Sequence, residues 1–175
     1  KLSNGTTWLP ANFDNVAHGP VPLVRALAES LNMATVRLGL DVGLEPIADV
    51  LQRLGLQQKP RLYPSMLLGA LTLTPLEVAQ IYNTLANGGF RVPLRAVRSV
   101  IGDDGKLLQR YEIEINQVTD PAYVYSLNQA LVQVMERGTG RGVRVQLPAD
   151  MVVAGKTGTS DDLRDSWFAG FTNDH

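Results

Sequence analysis

The sequence predicts an α+β fold in which helices pack on an antiparallel sheet. Apolar residues recur at helical spacing in the first half of the chain, and strand-like segments bounded by turn residues follow. This order lacks the repeating strand–helix–strand pattern that would indicate a parallel sheet. With 175 residues, of which 45% are hydrophobic, the chain can bury a sizeable core within one domain.

Four amphipathic helices are predicted. The first covers about residues 20–31, the second begins near Pro46 and ends at Gly55, and the fourth begins at Asp120-Pro121. The third has the clearest start, because Thr74-Pro75-Leu76-Glu77 contains a capping box with proline at the first helical position. The predicted buried faces are Val24, Leu27, Ala28 and Leu31; Ile47, Val50, Leu51 and Leu54; Val78, Ile81, Tyr82 and Leu85; and Val124, Leu127, Leu131 and Val134.

Two β-hairpins are predicted later in the chain. Residues 96–101 and 106–115 flank a Gly-Asp-Asp-Gly turn and are expected to form an appended ribbon. Residues 151–159 are rich in β-branched side chains and lead into a polar turn, 160–165, as in one strand of a second hairpin.

Several conspicuous side chains are given structural roles. Trp167 and Phe168 are expected to pack in the core rather than to stack on a ligand. Arg137 and Arg141, near a helix end, are expected to be solvated or to bond terminal carbonyls. A solvated hairpin turn is expected for Asp161, Asp162, Arg164 and Asp165.

Composition argues against several classes of function. A net charge of −1 and a pI near 6.1 provide no electrostatic reason to bind nucleic acid. The chain has no cysteine and only two histidines, His18 and His175, so neither a metal mechanism nor a cofactor is implied. The longest apolar run, 66–71, is far shorter than the ~20 residues that span a membrane, so this chain is expected to be soluble.

The segment Lys156-Thr157-Gly158-Thr159 predicts one lip of an active-site cleft. On a strand, Thr157 and Thr159 share one face, and Lys156 and Gly158 share the other. Two hydroxyls beside an ammonium suit a carboxylate ligand, and Gly158 leaves room for a substrate backbone or a packed helix. An ordinary strand ending in a polar turn is the alternative. A phosphate-binding loop is not supported, because Asp150 occupies the position where that motif requires glycine.

A second element, Ser30-Leu31-Asn32, lies where one helix ends and another begins, so both polar side chains can point into a cleft. The alternative for this segment is a plain helix cap with a surface hydroxyl. The same tripeptide recurs at 126–128 inside a continuous helical stripe, where residues two apart point to different sides. The later copy is therefore expected to be solvated surface.

Ser30-Leu31-Asn32 and Lys156-Thr157-Gly158 resemble two of the three signatures of serine penicillin-binding enzymes. The segments 66–79, 85–89 and 137–140 add three further blocks in the family's order. Together the five blocks resemble the transpeptidase domain of a bifunctional, class A penicillin-binding protein over nearly the whole chain. The resemblance implies the helix-rich penicillin-binding/β-lactamase-like fold, with part of its antiparallel sheet.

The third signature, Ser-x-x-Lys, supplies the family's nucleophilic serine, and no serine of this chain has a lysine three residues later. In the family this motif precedes Ser-x-Asn on a helix that would lie before Lys1. Lys1 itself runs into the turn-like segment 3–6 and is not a convincing motif lysine. Residues 1–175 are thus expected to be a single, incomplete transpeptidase domain that is inactive by itself.

The resemblance also implies roles for individual residues. In the family a serine attacks the carbonyl of a D-alanyl-D-alanine stem peptide and then passes the acyl group to an amine. Ser30 would relay protons, Asn32 would bond the substrate amide, and Lys156 would supply a positive field. Thr157 and Thr159 would bind the terminal carboxylate beside Gly158, and the Thr159 amide would supply half of the oxyanion hole.

The implied partners are the peptidoglycan stem peptide, β-lactam antibiotics in the intact protein, and other proteins of cell-wall synthesis. The parent protein is expected at the periplasmic face of the bacterial inner membrane, anchored by a segment outside this chain. Two alternatives stay open. A DD-carboxypeptidase or serine β-lactamase of the same fold would use water as acceptor, and a non-catalytic module would only bind peptidoglycan or a partner protein.

Overall fold

The computed structural model describes residues 8–160 and 164–173; the predicted turn residues Asp161 and Asp162, and the segment around Lys1, lie outside these ranges. The helices are α1 Leu23–Ala28, α2 Asn32–Val42, α3 Leu44–Leu54, a 3₁₀ helix Pro64–Leu68, α4 Pro75–Ala86, α5 Pro121–Glu136 and α6 Arg141–Arg144. The strands are β1 Phe90–Arg91, β2 Ser99–Ile101, β3 Leu107–Arg110, β4 Asn116–Gln117, β5 Val153–Thr159 and β6 Ser166–Thr172.

The α+β prediction is confirmed. Within the described ranges, the strands form three separate antiparallel pairs, β1 with β4, β2 with β3, and β5 with β6. The predicted ribbon is the β2–β3 pair, which is shorter than expected and exposed along both strands. No helix in the described part of the chain is both long enough and apolar enough to cross a bilayer.

The core lies between three helices and the β5–β6 hairpin. Helix α5 packs along β5, and α4 packs against β6. Burial of these apolar side chains fixes the hairpin against the helices, since each fully buried aliphatic side chain contributes about 1.5–3 kcal/mol. The buried cluster consists of Leu54, Ile81, Leu85, Val124, Leu131 and Ala154.

The predicted buried faces are correct in part. Val24, Val50 and Leu127 are exposed, contrary to the prediction. The small residues Ala26 and Ala48 are buried instead, because alanine lets a neighbouring element approach the helix backbone closely. Periodicity therefore identified α1, α3, α4 and α5 but placed their apolar faces too broadly, and α2, the 3₁₀ helix and α6 were not among the four predicted helices.

Trp167 and Phe168 do not lie in the core, contrary to the prediction, and they remain 43% and 44% exposed. Consecutive residues of a strand point to opposite faces, so one buried face cannot hold both rings. The Phe168 ring instead lies over Gly155 and Gly170 of the same hairpin, in space that a Cβ atom would fill.

The capping box of α4 is formed as predicted. The Glu77 amide donates to the Thr74 hydroxyl at 3.2 Å, and the Thr74 amide donates to the Glu77 carboxylate at 2.9 Å. Two hydrogen bonds from Thr74 lower the pKa of Glu77. The bond from the Thr74 amide has the larger effect, and the bond from the Thr74 hydroxyl has the smaller one. At the other end, Gly88 and Gly89 have positive φ and lead the chain away from the helix.

The Thr84 hydroxyl ties α4 to the end of α3. It is fully buried, at 0% exposure, and lies 2.8 Å from the carbonyl oxygen of Leu54 and 3.0 Å from that of Gln80. We expect Thr84→Val to lower the free energy of unfolding by about 1–3 kcal/mol, because the buried Leu54 carbonyl loses its donor.

Urea unfolding tests this prediction, with Thr72→Val as the matched control because Thr72 is exposed. The control should change the free energy of unfolding by less than about 0.5 kcal/mol. Equal effects of the two substitutions would show that the Thr84 bond contributes nothing.

Candidate active site

The site begins at the end of α1, where Ser30 adopts a left-handed backbone conformation with φ of 55°. The Leu31 amide donates to the Ala26 carbonyl at 2.9 Å, and the Ser30 amide donates to the Leu27 carbonyl at 3.3 Å. This pair of bonds is the Schellman termination of a helix, in which glycine usually takes the position of Ser30. A serine there carries backbone strain, and such strain is concentrated at functional sites.

Lys156 reaches the Ser30 hydroxyl from the opposite wall. Its Nζ atom donates to Ser30 Oγ at 2.9 Å and to the carbonyl oxygen of Thr157 at 3.0 Å. Among the described residues, no carboxylate forms an ion pair with this ammonium. Two distant segments, both singled out from the sequence, are thus joined by a direct contact.

Burial lowers the pKa of Lys156, since the charged ammonium is poorly solvated between the two walls. A lysine whose pKa is lowered releases its proton more readily than a fully solvated lysine does. Lys156 can therefore either provide positive charge to the cleft or exchange a proton with the hydroxyl it contacts.

This lowered pKa predicts a pH dependence of stability. An unfolded lysine has a pKa of about 10.4, so between the folded and unfolded values the unfolded state binds more protons. The free energy of unfolding should then rise with pH through this window. We expect the wild-type chain to gain stability relative to Lys156→Met, which lacks the ionisation, as the pH rises toward about 10.4. Urea unfolding of both chains at several pH values checks this; a difference that stays flat or falls would contradict it.

Asn32, the first residue of α2, does not contact Lys156 through any described hydrogen bond. Its Nδ2 atom donates to the Ala11 carbonyl at 2.8 Å, which holds the amide group in a fixed orientation. The side-chain oxygen remains able to accept a further hydrogen bond. The amide is thus anchored through its donor end.

The two threonines of β5 lie in different environments. Thr157 is partly buried and pairs in register with Phe168, and Thr159 is exposed and pairs with Ser166. Gly158, between them, faces open space, because among residues 8–160 and 164–173 a Cβ atom there would meet only the Trp167 Cβ, at 3.4 Å. No described helix packs on Gly158, so space for a ligand backbone remains.

Thr139, which follows α5, is a site residue that sequence reasoning missed. Its hydroxyl lies 2.5 Å from the Thr157 hydroxyl, and its amide donates to the Ala28 carbonyl at 3.1 Å. Arg137 and Arg141, beside it, are exposed as expected. The available signal in the sequence was the Gly-Thr-Gly segment after a long helix.

The later Ser-Leu-Asn copy lies within α5, as predicted. Ser126 is exposed and bonds back to the Ala122 carbonyl. Asn128 is not solvated surface, contrary to the prediction, because it is half-buried and donates to the Leu85 carbonyl at 2.9 Å. Its amide therefore joins α5 to α4.

Comparison with known proteins places this chain in one family. A family model described as "Penicillin binding protein transpeptidase domain" matches residues 1–175. The chain is 43% identical to penicillin-binding protein 1B of Vibrio cholerae over 171 residues, which are 97% of this chain and 22% of that protein. It is also 43% identical to penicillin-binding protein 1B of Escherichia coli, over 95% of this chain and 20% of that protein.

The chain therefore belongs to the transpeptidase domains of class A penicillin-binding proteins. It spans about a fifth of the length of these two relatives. The resemblance inferred from the sequence motifs is confirmed.

Solved structures support the same fold. The crystal structure of penicillin-binding protein 1A from Haemophilus influenzae matches 98% of this chain and 31% of that chain, with a TM-score of 0.87 and 23% identity. Penicillin-binding protein A from M. tuberculosis, as an imipenem acyl-enzyme complex, matches 97% of this chain and 43% of that chain, with a TM-score of 0.81 and 23% identity. At this identity the likeness concerns the fold alone.

Proposed function

We propose that this chain forms part of a peptidoglycan DD-transpeptidase and supplies the proton-relay and substrate-binding parts of its active site. The contact between Lys156 Nζ and Ser30 Oγ, at 2.9 Å, carries this proposal. Residues 1–175 are one incomplete transpeptidase domain, and the nucleophilic serine belongs to a Ser-x-x-Lys segment outside them. The chain by itself is inactive.

The serine–lysine pair manages protons during acyl transfer. When the nucleophilic serine attacks the stem-peptide carbonyl, its proton must reach the leaving D-alanine amine. Ser30 can pass this proton, since a hydroxyl both accepts and donates, and Lys156 lies within hydrogen-bond distance of it. When an amine from a neighbouring strand attacks the acyl-serine, the same relay runs in reverse and restores the free serine.

The remaining residues orient the substrate. Asn32 accepts the amide N–H of the stem peptide through its free side-chain oxygen, because its Nδ2 is already held by Ala11. Thr157 and Thr159 donate to the terminal carboxylate, and the open space at Gly158 admits the peptide backbone. The Thr159 amide contributes half of an oxyanion hole, and one such donor is typically worth about 10²–10³ in rate.

The proposal extends to the ligands and the location of the intact protein, and the relatives' names support the part that concerns β-lactams. The intact protein takes β-lactams because they mimic the D-alanyl-D-alanine end, and a name such as "Penicillin-binding protein 1B" describes that binding in a relative. The intact protein acts at the periplasmic face of the inner membrane, anchored by a segment outside residues 1–175, together with other cell-wall synthesis proteins.

Labelling with a fluorescent penicillin tests the proposal. The full-length protein and the 175-residue chain are incubated under identical conditions and separated on a denaturing gel. We expect a covalent band for the full-length protein and none for the chain. A labelled chain would overturn the assignment of the nucleophile, and an unlabelled full-length protein would favour a non-catalytic module.

The acceptor is tested separately with a D-alanyl-D-alanine stem peptide and a D-amino acid as the competing amine. A transpeptidase incorporates the D-amino acid, which mass spectrometry detects in the product. Release of D-alanine without incorporation would instead indicate a carboxypeptidase.

A further inference from the structure

We propose that Thr139 and Thr157 together form one two-hydroxyl receptor for the ligand's carboxylate, which makes Thr139 a binding residue outside the Lys-Thr-Gly-Thr segment. This inference rests on the proposed function and identifies a further residue of that site. Its basis is the distance of 2.5 Å between the two hydroxyl oxygens.

Two paired hydroxyls always retain one free proton. Each hydroxyl has a single proton, and one of the two lies in the bond between the threonines. Whichever threonine donates within the pair, the other proton is available to a third group. The pair can then donate this proton to an anion and strengthen the donation through the bond that joins it.

The receptor is accessible and lies beside a positive charge. Thr139 is exposed and Thr157 is only partly buried, so a ligand can reach the pair. The Lys156 ammonium lies 3.0 Å from the Thr157 carbonyl oxygen, on the same residue that carries one of the hydroxyls. A carboxylate, which only accepts hydrogen bonds, suits a hydroxyl donor next to an ammonium.

The position of Thr139 does not depend on its own hydroxyl. Its amide donates to the Ala28 carbonyl, and Gly138 lies so close to the same carbonyl that a Cβ atom would be 2.0 Å from the oxygen. Removing the hydroxyl should therefore leave the backbone of this segment in place. A loss of ligand affinity would then report on the hydroxyl itself.

Acylation kinetics of the full-length protein test this inference with benzylpenicillin and its methyl ester, which lacks the negative carboxylate. Thr139→Val should weaken the initial binding of benzylpenicillin about tenfold, because the partner hydroxyl that orients and polarises the pair's free proton is lost. The acylation step should change little, and binding of the ester should be nearly unaffected. Thr139→Ser should recover most of the affinity, since serine restores the hydroxyl.

Controls separate the outcomes. Thr72→Val, at an exposed position with no described role in the site, should leave all constants unchanged. Thermal unfolding verifies that the variants fold, and Thr139→Ala replaces Thr139→Val if valine prevents folding. If the wild type is acylated, and Thr139→Val and Thr139→Ala still prefer benzylpenicillin to its ester as strongly as the wild type does, this inference is wrong and the proposed function stands. A wild type that is never acylated overturns the proposed function and the receptor with it.

Discussion

Lys156→Met in the full-length protein is expected to lower the second-order rate constant of penicillin acylation by about 10²–10⁴. The substitution keeps most of the side-chain volume but removes the donor that contacts Ser30 Oγ at 2.9 Å. It also removes the positive charge beside the proposed carboxylate receptor. Both losses act on the reacting ligand, so the effect should exceed that of any single surface charge.

Lys106→Met is the matched control for this prediction. Lys106 lies in the turn between β2 and β3, is well exposed and pairs with Asp104. Its removal should change the rate constant less than about twofold, because exposed ion pairs contribute little. Similar rate constants for Lys156→Met and the wild type would show that the partly buried Lys156 is only structural.

Gly138→Ala is expected to lower the free energy of unfolding by about 3 kcal/mol. An added Cβ atom would lie 2.0 Å from the Ala28 carbonyl oxygen and 2.9 Å from the Val134 carbonyl oxygen. Both are backbone atoms, so no flexible side chain can move aside. The clash would separate the end of α1 from the end of α5, and with it the Ser30 wall from Thr139.

Gly142→Ala provides a matched control four residues later. Gly142 lies within α6, and in the described part of the chain an added Cβ would meet no atom within 4 Å beyond its own helix backbone and chain neighbours. Alanine is favoured over glycine in a helix by up to about 1 kcal/mol, so this variant should be neutral or slightly stabilised. Urea unfolding of both variants compares them directly. Equal stabilities would contradict the close approach described for Gly138.

The sequence predicts an element correctly where the interaction that forms it joins residues only a few positions apart. The capping box of α4 and the proline starts of α4 and α5 depend on neighbours along the chain, and the structure confirms them. The meeting of Ser30 with Lys156 was predictable only through the resemblance of two distant motifs. Nothing in the composition or periodicity of either segment would have brought them together.

The unpredicted features depend on contacts that are distant in sequence. Asn128 has the same local spelling as Asn32, yet the nearby Leu85 carbonyl turns it into a bridge between helices. The role of Thr139 depends on its contact with Thr157, which lies 18 residues away along the chain. The left-handed backbone of Ser30 was equally hidden, because glycine is the residue usually found in that conformation.

The most direct test of the account is a double-mutant cycle with Ser30→Ala and Lys156→Met, measured as the rate constant of penicillin acylation in the full-length protein. If the two side chains work as one unit, either substitution alone removes most of the pair's contribution to the acylation rate constant. We therefore predict a double variant within a few-fold of the slower single variant. Losses that multiply would contradict the claim that Ser30 and Lys156 act together across one cleft.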